Sequence, residues 1–173
     1  MKSPTQLNRE DERKMKALSL FDGISCGMVA LERANIPVER YVAYEIDKHA
    51  IQISKKNYPQ IEQCGDVTVA DFTQYKGFDI VIGGSPCTKW SIANRNRETT
   101  INGLGGELFL HFVRAIKEVK PKYFLYENNY SISKEIKKEI SKHLGVEPIM
   151  INSSLVSAQE RKRRLWIWTR LLF

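Results

Sequence analysis

Short apolar runs of β type alternate with amphipathic stretches of helical period along most of the 173 residues. The pattern predicts strands over 17–21, 41–46, 78–82 and 123–126, a short one ahead of Gly65-Asp66, and two final strands over 148–151 and 165–169. Between them it predicts helices over 28–34, 48–57, 107–119 and 133–144, the third with Leu108, Phe112, Ala115, Ile116 and Val119 on one face. Strands that alternate with helices build βαβ units, so the expected fold is α/β: a mostly parallel sheet with helices on both faces. Gly83-Gly84-Ser85-Pro86 interrupts regular structure and predicts a turn. Residues 88–105 lack periodicity and read as a long loop, of a length that is usually functional or disordered. Residues 1–16 are a polar lead-in containing NREDERKMK, and 17–173 form one domain.

Composition narrows the classes. At 42% hydrophobic residues the chain is an ordinary globular one, and no apolar run reaches the length of a membrane span. The N-terminus has no apolar signal core, so the expected location is cytoplasmic (nuclear in a eukaryote) rather than secreted. Cys26, Cys64 and Cys87 are odd in number with no C-x-x-C spacing, which predicts free thiols and no metal site. The net charge of +7, concentrated over 89–97 and 161–164, suits a polyanionic partner, although a basic cluster by itself is equally a solvated face.

The polar residues of interest all fall at predicted strand ends, where open α/β sheets bind ligands. The first turn is SLFDGISCG, in which Gly23 and Gly27 allow tight turns and a close ligand. It is neither G-x-G-x-x-G nor a Walker loop, so dinucleotide and ATP phosphates are disfavoured. Glu45 ends the second strand and can accept from both hydroxyls of a ribose; Asp66 can accept from an amino group. Each alone would also suit a surface acid. Cys87 follows Gly-Gly-Ser-Pro, a turn poorly suited to a core side chain, and reads as a nucleophile needing a nearby acid or base. Glu127, in Glu127-Asn128-Asn129, stands at the next strand end.

In order, these segments resemble the DNA (cytosine-5) methyltransferase family, most closely its animal de novo branch, from about Leu18 to Trp168. SLFDGISCG resembles the cofactor loop, YEID the ribose-binding acid, GDV the adenine-reading aspartate, GGSPC the nucleophile motif, YENN the Glu-Asn motif and AQERKRR the Gln-x-Arg-x-Arg motif. The resemblance implies a Rossmann-like methyltransferase fold, S-adenosylmethionine as cofactor and cytosine in duplex DNA as substrate, in a setting such as restriction-modification. It implies cofactor contacts from Phe21, Asp22, Gly23, Ile24, Glu45, Ile46, Asp66, Val67, Ser85, Pro86 and Leu108. Catalysis would fall to Cys87, attacking C6, with Glu127, Asn128, Arg161 and Arg163. Lys89, Ser91, Ile92, Ala93, Asn94, Arg95 and Arg97 would meet DNA, on a loop that closes with Gly103, Gly105 and Gly106 as hinges.

The chain departs from the family pattern at three places. Thr88 follows Pro-Cys where a Gln-like residue is usual, and Asn129 stands where Val is usual. Family members also continue past this point with a target-recognition region and a closing segment that the 173 residues do not include. A second polypeptide or a homodimer is therefore an expected partner, the latter through the helix face carrying Phe109 and Phe112. Three alternatives stay open. One is a regulatory module that binds cofactor and DNA without turnover, and another is an RNA cytosine-5 methyltransferase. The third, a cysteine hydrolase, is disfavoured because His49, His111 and His143 all fall within predicted helices.

Overall fold

The structure, a computed structural model, describes residues 14–169. Its strands are β1 Met15–Leu20, β2 Val38–Tyr44, β3 Glu62–Gln63, β4 Ile80–Gly83, β5 Tyr123–Asn129, β6 Ile149–Asn152 and β7 Lys162–Thr169. The helices are α1 Cys26–Arg33, α2 Lys48–Asn57, α3 Leu104–Val119 and α4 Lys134–Leu144. One seven-stranded sheet runs in the order β3-β2-β1-β4-β5-β7-β6. Its first five strands are parallel neighbours, and β7 runs antiparallel to both β5 and β6. The α/β fold expected from the pattern is the fold observed. His49, His111 and His143 lie in α2, α3 and α4.

The core has two layers. On one face Leu18, Leu20, Val42, Val81 and Tyr126 pack against Phe109 and Phe112 of α3 and Ile136 and Ile140 of α4. On the other, Ala17, Tyr41 and Ala43 meet Met28 and Leu31 of α1. Phe109 and Phe112 are fully buried here, so the dimer contact expected on that face does not exist as an exposed surface. Their burial against Tyr126 is what holds α3 under the central strands.

Local chemistry explains the helix limits. Asp47 caps α2 by accepting from His49 and Ala50 N–H at 2.8 and 2.9 Å, and Ser133 caps α4 by accepting from Ile136 N–H at 3.1 Å. α4 stops at Gly145, whose φ of 72° is a left-handed cap.

Strand limits were less legible. β1 takes in Met15 and Lys16, placed above in the lead-in, because β2 pairs with both; residues 1–13 lie outside those described. It stops before Phe21, whose φ of 57° cannot continue a strand. β5 runs on to Asn129 and β7 starts at Lys162, three residues beyond each apolar run, because the two pair through Glu127–Leu165, Asn128–Arg164 and Asn129–Arg163. Those polar extensions carry Glu127, Asn128 and Arg163, three of the candidate site residues.

β4 meets α3 with no space to spare. A Cβ on Gly83 would lie 2.9 Å from both the Leu20 carbonyl and Phe112 Cδ2. We expect Gly83→Ala to cost about 1–3 kcal/mol through overpacking, read as a lower urea midpoint at unchanged slope; a variant as stable as the parent contradicts this approach.

Candidate active site

The turn after β1 is braced from inside. Phe21 and Ser25 both have left-handed backbones, with φ of 57° and 66°. Asp22 is buried and accepts from the Tyr41 hydroxyl at 2.8 Å and from the Ser25 hydroxyl, which also contacts Ser54. The Asp22 carboxylate therefore serves the turn's own structure. The strained turn presents Gly23 N–H to Glu45 Oε2 at 2.8 Å, and Glu45 Oε1 accepts from Ile46 and Asp47 N–H, also at 2.8 Å. Glu45 is thus oriented by three backbone donors at the end of β2, with lone-pair capacity left on a carboxylate that can accept about four.

Beside Glu45 opens a cleft lined by Phe21, Tyr44, Glu45, Ile46, Gly65, Asp66, Val67, Pro86 and Leu108. Seven of the residues expected to bind cofactor are in its wall; Asp22, Gly23, Ile24 and Ser85 are not. Ser85 is 3% exposed and its hydroxyl meets the Tyr126 hydroxyl at 2.6 Å. Tyr44 and Gly65 were missed: Tyr44 reads as a core residue and Gly65 as a plain turn. Asp66 accepts from Thr68 N–H at 2.8 Å, and donors on Thr68 hold its carboxyl below the usual range. The arm 67–75 is fixed to α3 by Arg114, which donates to the Val67 and Ala70 carbonyls and stands 4.5 Å over Phe72. An aromatic side wall, an oriented carboxylate and a second acid fit a nucleoside-bearing ligand.

The second half of the rim is the end of β4 against the end of β5. Cys87 is half-buried and opens a short 3-10 turn, Cys87–Lys89, its carbonyl accepting from Trp90 and Ser91 N–H at 3.0 and 2.8 Å. Asn128 Nδ2 donates to the Ser85 carbonyl at 3.3 Å and to the Tyr126 hydroxyl at 3.2 Å, tying the Cys87 turn to β5. Gly84 lets the strands approach: a Cβ there would sit 3.0 Å from Glu127 Oε2. Glu127 is gripped by Arg163, Nε to Oε1 at 2.6 Å. Burial pushes the Glu127 carboxyl above the ordinary carboxylate range, against the opposing pull of Arg163 and Arg161. Arg161 itself is exposed and its backbone N–H donates to Asn152 Oδ1 at 3.0 Å.

Residues 88–103 are more ordered than expected. Trp90 is fully buried, Glu98 N–H donates to the Lys89 carbonyl at 2.7 Å, and Glu98 Oε2 accepts from Gly105 N–H at 3.1 Å at the start of α3. Gly105 and Gly106 are not hinges but seats. Both are buried in the first turn of α3, where a Cβ on Gly105 would lie 2.5 Å from Trp90 Nε1 and one on Gly106 would strike the Ile101 carbonyl. Lys89, Ile92, Ala93 and Arg95 are exposed, Ser91 is half-buried, and Asn94 Nδ2 donates back to the Thr88 carbonyl at 2.9 Å. Arg97 Nη1 reaches the Ser131 carbonyl at 3.3 Å. A lone tryptophan in a polar stretch was the one available signal for this anchor.

This sheet order, with its reversed β7 and a ligand rim at the strand carboxyl ends, defines the fold as a methyltransferase-type α/β one. A solved structure described as a DNA modification methyltransferase encoded within a prophage (E. coli) superimposes with a TM-score of 0.72 at 24% identity, over 91% of this chain and 47% of that one. The chain belongs to the C-5 cytosine-specific DNA methylase family, whose profile matches residues 15–165. It is 28% identical over 167 residues to the orphan methyltransferase M.SPRI of Bacillus phage SPR, covering 89% of this chain and 37% of the relative. It is 32% identical over 162 residues to the type II methyltransferase M.Eco47II of Escherichia coli, covering 87% and 38%. The chain therefore spans well under half the length of these relatives, which are phage and bacterial. Among the described residues no helix is long and apolar enough to cross a membrane.

The Glu127–Arg163 pair makes a titration prediction. Removing Arg163 leaves burial with less opposition, so in Arg163→Leu the Glu127 carboxyl should titrate higher still, followed by its carbon chemical shift against pH. A raised carboxyl binds its proton more tightly folded than unfolded, so its contribution to stability is lost as pH rises through the folded value. An unchanged or lower titration in the variant would contradict the pairing.

Proposed function

We propose that this chain carries the methyl-transfer site of a DNA cytosine-5 methyltransferase, with Cys87 as nucleophile and Glu127 as acid. The observation that carries the reading is the joint between two strand ends, where Asn128 and Ser85 bind the Cys87 turn to the strand bearing a half-buried, high-titrating Glu127. Cytosine C5 is a weak nucleophile. Addition of the Cys87 thiolate to C6 makes C5 enamine-like, and the charge that arrives must be met by a proton at N3. Glu127, raised by burial, is suited to hold that proton, and Arg163 keeps its carboxyl aimed. Asn128 fixes the spacing between nucleophile and acid, and Arg161 adds positive potential beside them. Once C5 has taken the methyl group, a base removes the C5 proton, Cys87 leaves C6, the 5,6 double bond is restored and the N3 proton returns to Glu127.

S-adenosylmethionine, bound in the cleft, would supply an electrophilic methyl group. Phe21 would stack on its adenine, Glu45 would accept from the ribose hydroxyls, and Asp66 with Val67 would read the adenine edge. Pro86 and Leu108 would close the side toward Cys87, with Asp22, Gly23 and Ile24 offering backbone groups to the methionine moiety and Ser85 holding the turn. The target carbon is inaccessible within a duplex, so the base must be flipped out. Lys89, Arg95 and Arg97 would hold phosphates, while Ser91, Ile92, Ala93 and Asn94 face the vacated position. GGSPC and the following Ser91-Ile92-Ala93-Asn94, which is also similar to the animal de novo branch, support DNA over RNA but not that lineage, since the relatives above are phage and bacterial.

The test is trapping on duplex DNA containing 5-fluorocytosine with S-adenosylmethionine, because fluorine at C5 blocks the final elimination. We expect a covalent adduct that is absent in Cys87→Ala. Adduct on transfer RNA alone would move the substrate to RNA. Cofactor binding without any adduct would favour a binding module completed by another polypeptide. Separately, Glu45→Ala should weaken S-adenosylmethionine binding by at least tenfold, about the value of one hydrogen bond to a charged group; calorimetry showing unchanged affinity would remove Glu45 from the cofactor site.

A further inference from the structure

Ser25 stands at the N-cap of α1, where a serine hydroxyl ordinarily accepts from a backbone N–H of the first turn. No such side-chain cap forms here. The hydroxyl is buried and donates instead to Asp22 Oδ2, while Tyr41 donates to Oδ1 at 2.8 Å. A carboxylate only accepts, so the single Ser25 proton is committed to it, and the contact with Ser54 at 2.6 Å is a bond donated by Ser54. Ser54 Oγ in turn accepts from Gln63 Nε2 at 2.8 Å. The protons therefore run one way, from Gln63 through Ser54 and Ser25 to Asp22.

This chain of bonds joins three segments of the cleft without entering it. Asp22 belongs to the turn that offers Gly23 N–H to Glu45. Ser54 is the one buried residue of α2, the helix that follows Glu45. Gln63 ends β3, just ahead of Gly65 and Asp66 in the cleft wall. Ser25, Ser54 and Gln63 themselves do not line the cleft. Both carboxylate oxygens of the buried Asp22 are served by hydroxyls, and donors in series polarise one another, so losing one link weakens the rest. Phe21 and Ser25 flank Asp22 and Gly23 with left-handed backbones, a shape that persists only where its surroundings over-determine it. The bonded side chains supply that constraint.

We propose that Ser54, with Gln63 behind it, is a positioning residue for the cofactor site: its proton holds Ser25 and Asp22 so that the turn keeps Gly23 N–H on Glu45. This role deepens the methyltransferase reading and rests on it for the identity of the cofactor, though not for the bond at Gly23. The first test uses the full chain without ligand. Nitrogen-15 NMR follows the Gly23 amide, with Glu45→Ala as the reference for that amide once its acceptor is gone. Ser54→Ala should move the Gly23 resonance toward the reference. Gln63→Met, which removes the far donor at a half-buried position, should move it the same way by less. A Gly23 resonance that stays at its parent position in both variants overturns the relay.

The second test is calorimetry of S-adenosylmethionine binding. Ser54→Ala should weaken it about fivefold, the value of one hydrogen bond. Made in the Glu45→Ala background, the same substitution should have no further effect, because its influence passes through Glu45. Unchanged affinity in Ser54→Ala, or equal weakening in both backgrounds, overturns the assignment. Gln63→Met is carried through both tests, so a Ser54→Ala chain that did not fold would leave the same outcomes readable there. A Gly23 shift as expected in a chain whose parent binds no S-adenosylmethionine would keep the relay and sink the methyltransferase reading instead.

Discussion

The geometry of the site depends on how closely the turn after β4 can approach the end of β5. Two glycines and a proline make that turn, and each has a separate physical job. Gly83 passes between the Leu20 carbonyl and the Phe112 ring, Gly84 leaves room for the Glu127 side chain, and Pro86 holds the backbone where Cys87 begins its short helical turn. The approach is then locked by side chains from β5, through Tyr126 to the Ser85 hydroxyl and through Asn128 to the Ser85 carbonyl. These are buried hydrogen bonds, where leaving a donor or acceptor unmatched costs about 1–3 kcal/mol, so the joint is specified as well as stabilised.

A carboxyl held in that joint has its titration shifted by its surroundings. Burial raises Glu127, and Arg163 limits the rise while fixing the direction of the carboxyl. The pair exists because β7 runs antiparallel beside β5 and continues through a polar stretch, bringing residue 163 across from residue 129, on the same face as 127. The cleft beside Glu45 uses another device. Glu45 is held by three backbone N–H groups, one offered by the strained turn after β1, so among the described residues the acid is oriented by backbone donors rather than by an ion pair. One rim thus carries two carboxylates held in different ways by different partners.

The stretch after Cys87 links the halves. Its buried Trp90 and the Glu98 carboxylate at the start of α3 fasten a segment in which Lys89, Ile92, Ala93 and Arg95 remain exposed. Glycines that looked like hinges in one dimension are places where a tryptophan ring and a carbonyl pack against a helix. Small residues permit motion or permit contact, and only the neighbour decides which.

The sequence by itself determined the α/β class, the placement of most helices, and the order of polar residues at strand ends. Hydrophobic period and turn residues are local properties, and the motifs around Phe21, Glu45, Asp66, Cys87 and Glu127 each lie within a few residues. What only the tertiary structure decided is non-local. The polar ends of β5 and β7 became strand because each found a distant ladder partner, Glu127 with Leu165, Asn128 with Arg164 and Asn129 with Arg163, which no hydrophobic count detects. Phe109 and Phe112 proved to be core because the sheet covers them. The roles of Asp22 and Ser85 as braces and the anchoring of Trp90 follow from who stands opposite whom, a fact written only in three dimensions.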